Sequence, residues 1–179
     1  MRLTLRPARP ADAEEMAPWF ADAVELTRWG GPKVRFPLTA DQLAGWIAEA
    51  AAPSPRTCYA AVDNTDRPIG HVQLLHEPSV GAARVGRIGV APDQRRSGIG
   101  AALLTRATDM AFARLGVQRV YLHVLEDNEI ARRLYRRAGF VVEGTARNAM
   151  VIGGRRHALL TMSVVQHDWE ARQAGLAVA

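Results

Sequence analysis

A chain of 179 residues with 48% hydrophobic, 23% charged and 6% aromatic residues has the size and mixture of one globular domain, which excludes a disordered segment. Its single cysteine, Cys58, excludes an internal disulfide and a cysteine-built metal cluster, and no apolar run approaches the roughly 20 residues of a membrane span. The net charge of +5 admits an anionic partner, either nucleic acid or a phosphate-rich small molecule.

Leu3 and Leu5 alternate with polar neighbours, which predicts a first strand. Pro10-Ala11-Asp12 offers a cap for a helix carrying Met16, Trp19, Phe20 and Val24, although Pro18 threatens to break it. Gly30-Gly31-Pro32 ends that segment. Thr39-Ala40-Asp41-Gln42 reads as a capping box for a helix with Leu43, Trp46 and Ile47 on one side, closed by Pro53 and Pro55. Residues 57–62 and 69–75 read as strands around the turn-forming run 63–68. Residues 82–90 read as a third strand, weakened by Gly86 and Gly89, where a bulge or a close approach by another group is expected. A helix over 98–115 stops at Gly116, a strand over 119–124 follows, and a helix over 128–138 ends at Gly139. Residues 140–143 and 159–165 complete a strand pair. The tail after His167 is open between a short helix and disorder. Strands interleaved with single helices make residues 1–179 one α/β domain with a mixed sheet.

Two segments carry chemistry. Ile88-Gly89-Val90 leads into Arg95-Arg96-Ser97-Gly98-Ile99-Gly100-Ala101 at the start of the long helix. A strand-to-helix turn there gathers unpaired backbone N–H groups at the positive end of a helix dipole, a natural seat for a diphosphate. Gly98 and Gly100 let an anion approach without a Cβ in its path. No Gly-Lys-Ser/Thr follows, so this is not a Walker loop. By itself such a turn is equally well a tight turn with no ligand. The second segment, Asn128 to Phe140, places Asn128, Ala131 and Tyr135 on one helical face. The plain structural roles there are an N-cap for Asn128, core packing for Tyr135 and a C-cap for Gly139.

Together the two segments resemble the GNAT superfamily of acetyl-CoA-dependent N-acetyltransferases. Residues 95–100 match its Gln/Arg-x-x-Gly-x-Gly/Ala loop, and residues 128–140 match its Asn-x-x-Ala-x-x-x-Tyr-x-x-x-Gly-Phe pattern. The resemblance implies a central twisted, mostly antiparallel sheet flanked by helices. It also implies that backbone groups of Ile88, Gly89 and Val90 bond the pantetheine arm and that amides from Arg95 to Ala101 hold the pyrophosphate. Asn128 would bond a pantetheine amide, Tyr135 would sit near the thioester sulfur, and Arg137 would reach the phosphates unless it is merely solvated. Tyr135 is then the expected general acid for the departing thiol. The general base is a gap: the strand Arg84-Val85-Gly86-Arg87-Ile88 carries no carboxylate where the family often has a glutamate. By type alone, Glu77, Asp93, His71, His123 or a water chain would serve.

The implied acceptor is a primary amine on a small molecule or a polypeptide N-terminus. Two alternatives remain: an idle acyl-CoA-binding module, and a basic nucleic-acid-binding domain. The latter is disfavoured because no basic run is interleaved with aromatics. No metal-ligand spacing occurs. Met1–Pro7 lacks the apolar core of a secretion signal, so the cytoplasm is expected and a membrane is not; a homodimer is compatible with the sequence.

Overall fold

The structure is a computed structural model that describes residues 4–51 and 54–177. Seven strands form one sheet in the order β1-β2-β3-β4-β5-β7-β6. They are β1 (Thr4–Pro7), β2 (Arg56–Val62), β3 (Pro68–Glu77), β4 (Ala82–Val90), β5 (Arg119–Leu125), β6 (Val141–Ile152) and β7 (Arg155–Val165). Every neighbouring pair is antiparallel except β4 and β5. The mostly antiparallel mixed sheet expected from the sequence is therefore present, and β4 has the bounds that its composition suggested.

Local chemistry sets the tight connections. Between β2 and β3 the Asp63 carboxylate accepts from Thr65 N at 2.9 Å, Thr65 Oγ1 at 2.7 Å and Arg67 N at 3.1 Å. One side chain thus satisfies three donors of the turn.

The helices are α1 (Ala13–Met16), α2 (Ala23–Gly30), α3 (Ala40–Ala51), α4 (Ile99–Leu115), α5 (Glu129–Arg137) and α6 (Gln166–Ala177). Those from α1 to α3 cover one face of the sheet over Met16, Trp19, Leu26, Leu43, Ile47 and Cys58. On the other face, α4 buries Ile99, Leu103, Leu104, Ala107 and Phe112 against Val72, Leu74, Val85 and Val120. Gly70 of β3 permits that approach: a Cβ there would lie 2.8 Å from Leu103 Cδ1, closer than side chains pack.

Three expectations need correction. The first helix is not continuous: it is the short turn Pro10–Asp12, α1, the turn Ala17–Trp19, and then α2. Pro18 and the extended backbone at Phe20 and Asp22 divide it, and Asp22 starts α2 by accepting from Glu25 N at 2.7 Å. Val24 consequently lies at 43% exposure and Leu26 takes the buried position. The Thr39 capping box is half formed: Gln42 N donates to Thr39 Oγ1 at 3.2 Å, but the Gln42 side chain turns to Pro37 O. The closing strands extend much further than 140–143 and 159–165, forming a hairpin over Val141–Val165 that turns at Gly153-Gly154. The polar residues of its exposed outer half carry no burial pattern to read. The tail forms α6, anchored by buried Trp169. Pro53 lies outside the described residues.

Candidate active site

The parallel pairing of β4 with β5 covers only Ala82↔Arg119, Ala83↔Val120 and Arg84↔Tyr121. Beyond that point the two strands separate, while each keeps its antiparallel partner on the other side. Their facing edges therefore open a slot in the middle of the sheet. A cavity of about 870 Å³ runs through it, lined by β4 from Arg84 to Val90, by β5 from Leu122 to Leu125, by the α4 turn, by α5 and by α2.

At one end lies the turn before α4. Arg96 has φ +64° and Gly98 has φ +88°, so the chain curls back on itself as it enters the helix. Gly98 accepts no side chain without strain at that φ, yet a Cβ there would meet no atom within 4 Å; the space beside it is open. The first helical bond is Ala102 N to Gly98 O at 3.1 Å. Amides from Arg96 to Ala101 donate to no protein group among the described residues. Six unpaired donors around a concavity at a helix N-terminus can hold a di-anion. The Arg95 side chain points elsewhere: it pairs with Glu25 at 2.8 Å and donates to Trp19 O at 3.0 Å, tying the turn to the α1–α2 layer.

On the opposite wall, Asn128 caps α5 by accepting from Ala131 N at 3.2 Å. The capping role read from the sequence is thus present, and the side-chain NH₂ is left for another partner. Tyr135 packs its ring 6.3 Å from that of Phe140. Burial pushes its phenol up to about 12, so the proton stays on oxygen throughout the neutral range.

Ile88, Gly89, Val90, Arg95, Arg96, Gly98, Ile99, Gly100, Ala101, Asn128 and Tyr135 all line this cavity, whereas Ser97 and Arg137 do not. Ser97 Oγ donates to Gln94 O at 2.6 Å, and Arg137 is exposed at the end of α5, its carbonyl accepting from Arg172. Of the four candidate bases only His123 lines the cavity. Its Nδ1 lies 3.2 Å from Thr161 Oγ1, and Tyr121 meets it edge-on at 5.6 Å. Partial burial and the Arg84 charge hold its pKa below the usual histidine value, which leaves the ring neutral near pH 7. Glu77 instead accepts from Tyr121 OH at 2.7 Å, and Asp93 is paired with Arg67 at 2.9 Å. His71 is fully buried with neither ring nitrogen bonded.

The match to a family model is the deciding observation: the acetyltransferase (GNAT) family model matches residues 17–140. This chain belongs to that family. The GNAT region so defined contains the slot, the α4 turn and the α5 wall. A spermidine N(1)-acetyltransferase of Vibrio cholerae is 33% identical over 101 residues, covering 56% of this chain and 58% of the relative. The chain thus spans little more than half the length of that relative. A putative ribosomal N-acetyltransferase, YdaF of Bacillus subtilis, is 26% identical over 96% of this chain and 95% of its own. Among solved structures, mutant forms of the spermidine/spermine N-acetyltransferase SpeG from Vibrio cholerae superpose with a TM-score of 0.78 at 26% identity, covering 96% of this chain and 99% of that one.

The sequence left several lining residues unmarked: Trp29, Arg56, Gln73, Arg84 and Arg87. They come from α2, β2, β3 and β4, and only strand register brings them together. Arg84 and Arg87 were visible as the basic residues standing where a carboxylate was sought.

Proposed function

We propose that this GNAT-family chain transfers an acetyl group from acetyl-CoA to a primary amine of a small molecule. One observation carries the reading: the β4–β5 slot leads from the six unpaired amides of Arg96–Ala101, at the start of α4, to the Tyr135 phenol and His123. A diphosphate fits the first end because the amides there have no protein acceptor and Gly98 leaves the approach open. The edge of β4 at Ile88, Gly89 and Val90 offers backbone partners to an amide-bearing arm, and the free Asn128 NH₂ offers a donor. The names of relatives, spermidine N(1)-acetyltransferase among them, support an amine acceptor. The cytoplasm is the compartment this reading carries.

Bound acetyl-CoA would supply an activated thioester, whose carbonyl carbon an unprotonated amine attacks as the thiol leaves. His123, neutral and lining the slot, accepts the proton that the amine must lose. Tyr135 donates its proton to the departing sulfur. The thiolate of an ordinary thiol near 8.5 is a weaker base than a phenolate near 12, but a thiolate leaving in the same slot is desolvated too, which raises its basicity toward that of the phenolate.

Titration of acetyl-CoA into the protein by calorimetry, with thiol release followed over a panel of amines, tests the reading. Binding tighter than about 1 mM with acceptor-dependent thiol release is expected. No detectable binding at that concentration removes the assignment, and binding without turnover of any amine leaves an idle acyl-CoA module.

A further inference from the structure

The end of the slot remote from the α4 turn is built from donors and positive charge. Register aligns Arg56 with Leu75 and Leu75 with Arg84, so both arginines project from the same sheet face, two strands apart. Between His71 and Gln73 the β3–β4 register slips, and Arg87 takes φ +49°. Such a bulge re-aims a side chain: Arg87 stacks over the Trp46 ring at 4.7 Å and donates to Gln73 Oε1 at 3.3 Å and Gly30 O at 3.4 Å. Burial, together with the Arg56 and Arg84 charges, holds Arg87 below the ordinary arginine pKa. None of the three has a carboxylate within 4 Å among the described residues. Of the carboxylates nearby, Glu25 pairs with Arg95 and Asp127 with Arg28, while Glu77 accepts from Tyr121 OH.

A second, independent observation points the same way. Gln73 is 7% exposed and lines the cavity, yet its Nε2 has no oxygen or nitrogen acceptor, only the Cys58 thiol across the strand pair. Flipping the Gln73 amide would set its NH₂ against the Arg87 guanidinium, so the oxygen faces Arg87 and the NH₂ is left without an oxygen acceptor. Buried donors without acceptors are costly unless a ligand completes them. Six residues of extended strand, about 20 Å, separate Arg84 from Val90 at the α4 end, so this cluster is not a second grip on the phosphates there.

We propose that the acceptor amine also carries an anionic group, a carboxylate or a phosphate, which pairs with Arg56, Arg84 and Arg87 beside Gln73. The inference rests on the acetyl-transfer reading and separates this chain from relatives named for polyamines, whose extra ammonium groups would face uncompensated arginines here.

Thiol release with β-alanine, its neutral amide, O-phosphoethanolamine and spermidine tests it. The carboxylate or the phosphate acceptor should exceed the neutral amide in kcat/KM by about 10-fold or more, chiefly through KM, and salt should shrink that margin. Which anion gains more tells the carboxylate from the phosphate. Arg84→Gln should erase most of the margin, and R84E should turn the preference toward spermidine. Acetyl-CoA affinity measured by calorimetry on each variant shows that the fold and the cofactor end are intact. Spermidine or the neutral amide used as well as the anionic amines overturns the inference. So does an enzyme that binds acetyl-CoA but acetylates neither anion, or an Arg84→Gln enzyme with the margin unchanged. Failure to bind acetyl-CoA defeats the acetyl-transfer reading itself.

Discussion

Tyr135, half-buried, and His71, fully buried, both have displaced pKa values, and opposite consequences follow. The Tyr135 hydroxyl has no protein partner among its described contacts and lines the slot, so removing it perturbs chemistry more than packing. Tyr135→Phe should lower kcat by about 10²–10⁴-fold with little change in acetyl-CoA affinity. Because the phenol titrates near 12, wild-type kcat should show no alkaline decline up to pH 10; steady-state profiles check both. An unchanged kcat in the variant would reduce Tyr135 to packing. His71 serves no reacting group. Burial, then the Arg87 charge, pushes its folded pKa down to about 3, from an ordinary 6.5. Unfolding therefore takes up a proton between those values. Its contribution is complete above pH 6.5 and is lost as pH falls toward 3, at about 1.4 kcal/mol per unit. Between pH 7 and 5 the wild type should lose about 2 kcal/mol more stability than His71→Leu, measured by urea denaturation.

At the scale of elements, the turn into α4 separates binding from packing in an unusually clean way. A Cβ at Gly98 would meet no protein atom within 4 Å, so the main intramolecular consequence of Gly98→Val is strain at φ +88°, about 2 kcal/mol. The same side chain fills the concavity in front of the free amides. Acetyl-CoA affinity should therefore fall by more than about 10-fold while the melting temperature drops only a few degrees. Calorimetry and thermal unfolding on one sample check the two effects. Equal affinity in the variant would place the phosphates elsewhere. This element was legible in the sequence because its determinants are local: a left-handed glycine, a helix start and the apolar period of α4 all lie within a few residues. The β6–β7 hairpin was only partly legible because its exposed half has no alternation of polar and apolar residues, and its pairing comes from β7 rather than from its own pattern.

For the whole molecule, α6 closes the core on the α4 face. Trp169 is 3% exposed, donates from Nε1 to Asp109 Oδ1 at 2.8 Å, and lies 6.4 Å from the Phe112 ring. Trp169→Ala should cost about 3–5 kcal/mol, read from denaturant midpoints, because it leaves a cavity against α4; Asp109 is exposed and turns to water. A loss below about 1 kcal/mol would mean that α6 is dispensable to the core.

Sequence alone determined the kind of sheet, the bounds of β4, the start of α4 and the cap of α5, and the pairing of two motifs that marks the GNAT family. Each of these is written in residues within a helical turn or a strand repeat of one another. Only the tertiary structure decided that β4 and β5 part company after Arg84 and Tyr121. It alone set Arg56, Gln73, Arg84 and Arg87 around one end of the slot, and brought His123, but not Glu77, Asp93 or His71, to its wall. Strand partnership and register are fixed by contacts between distant segments, and a slip of one residue would turn every one of these side chains to the other face.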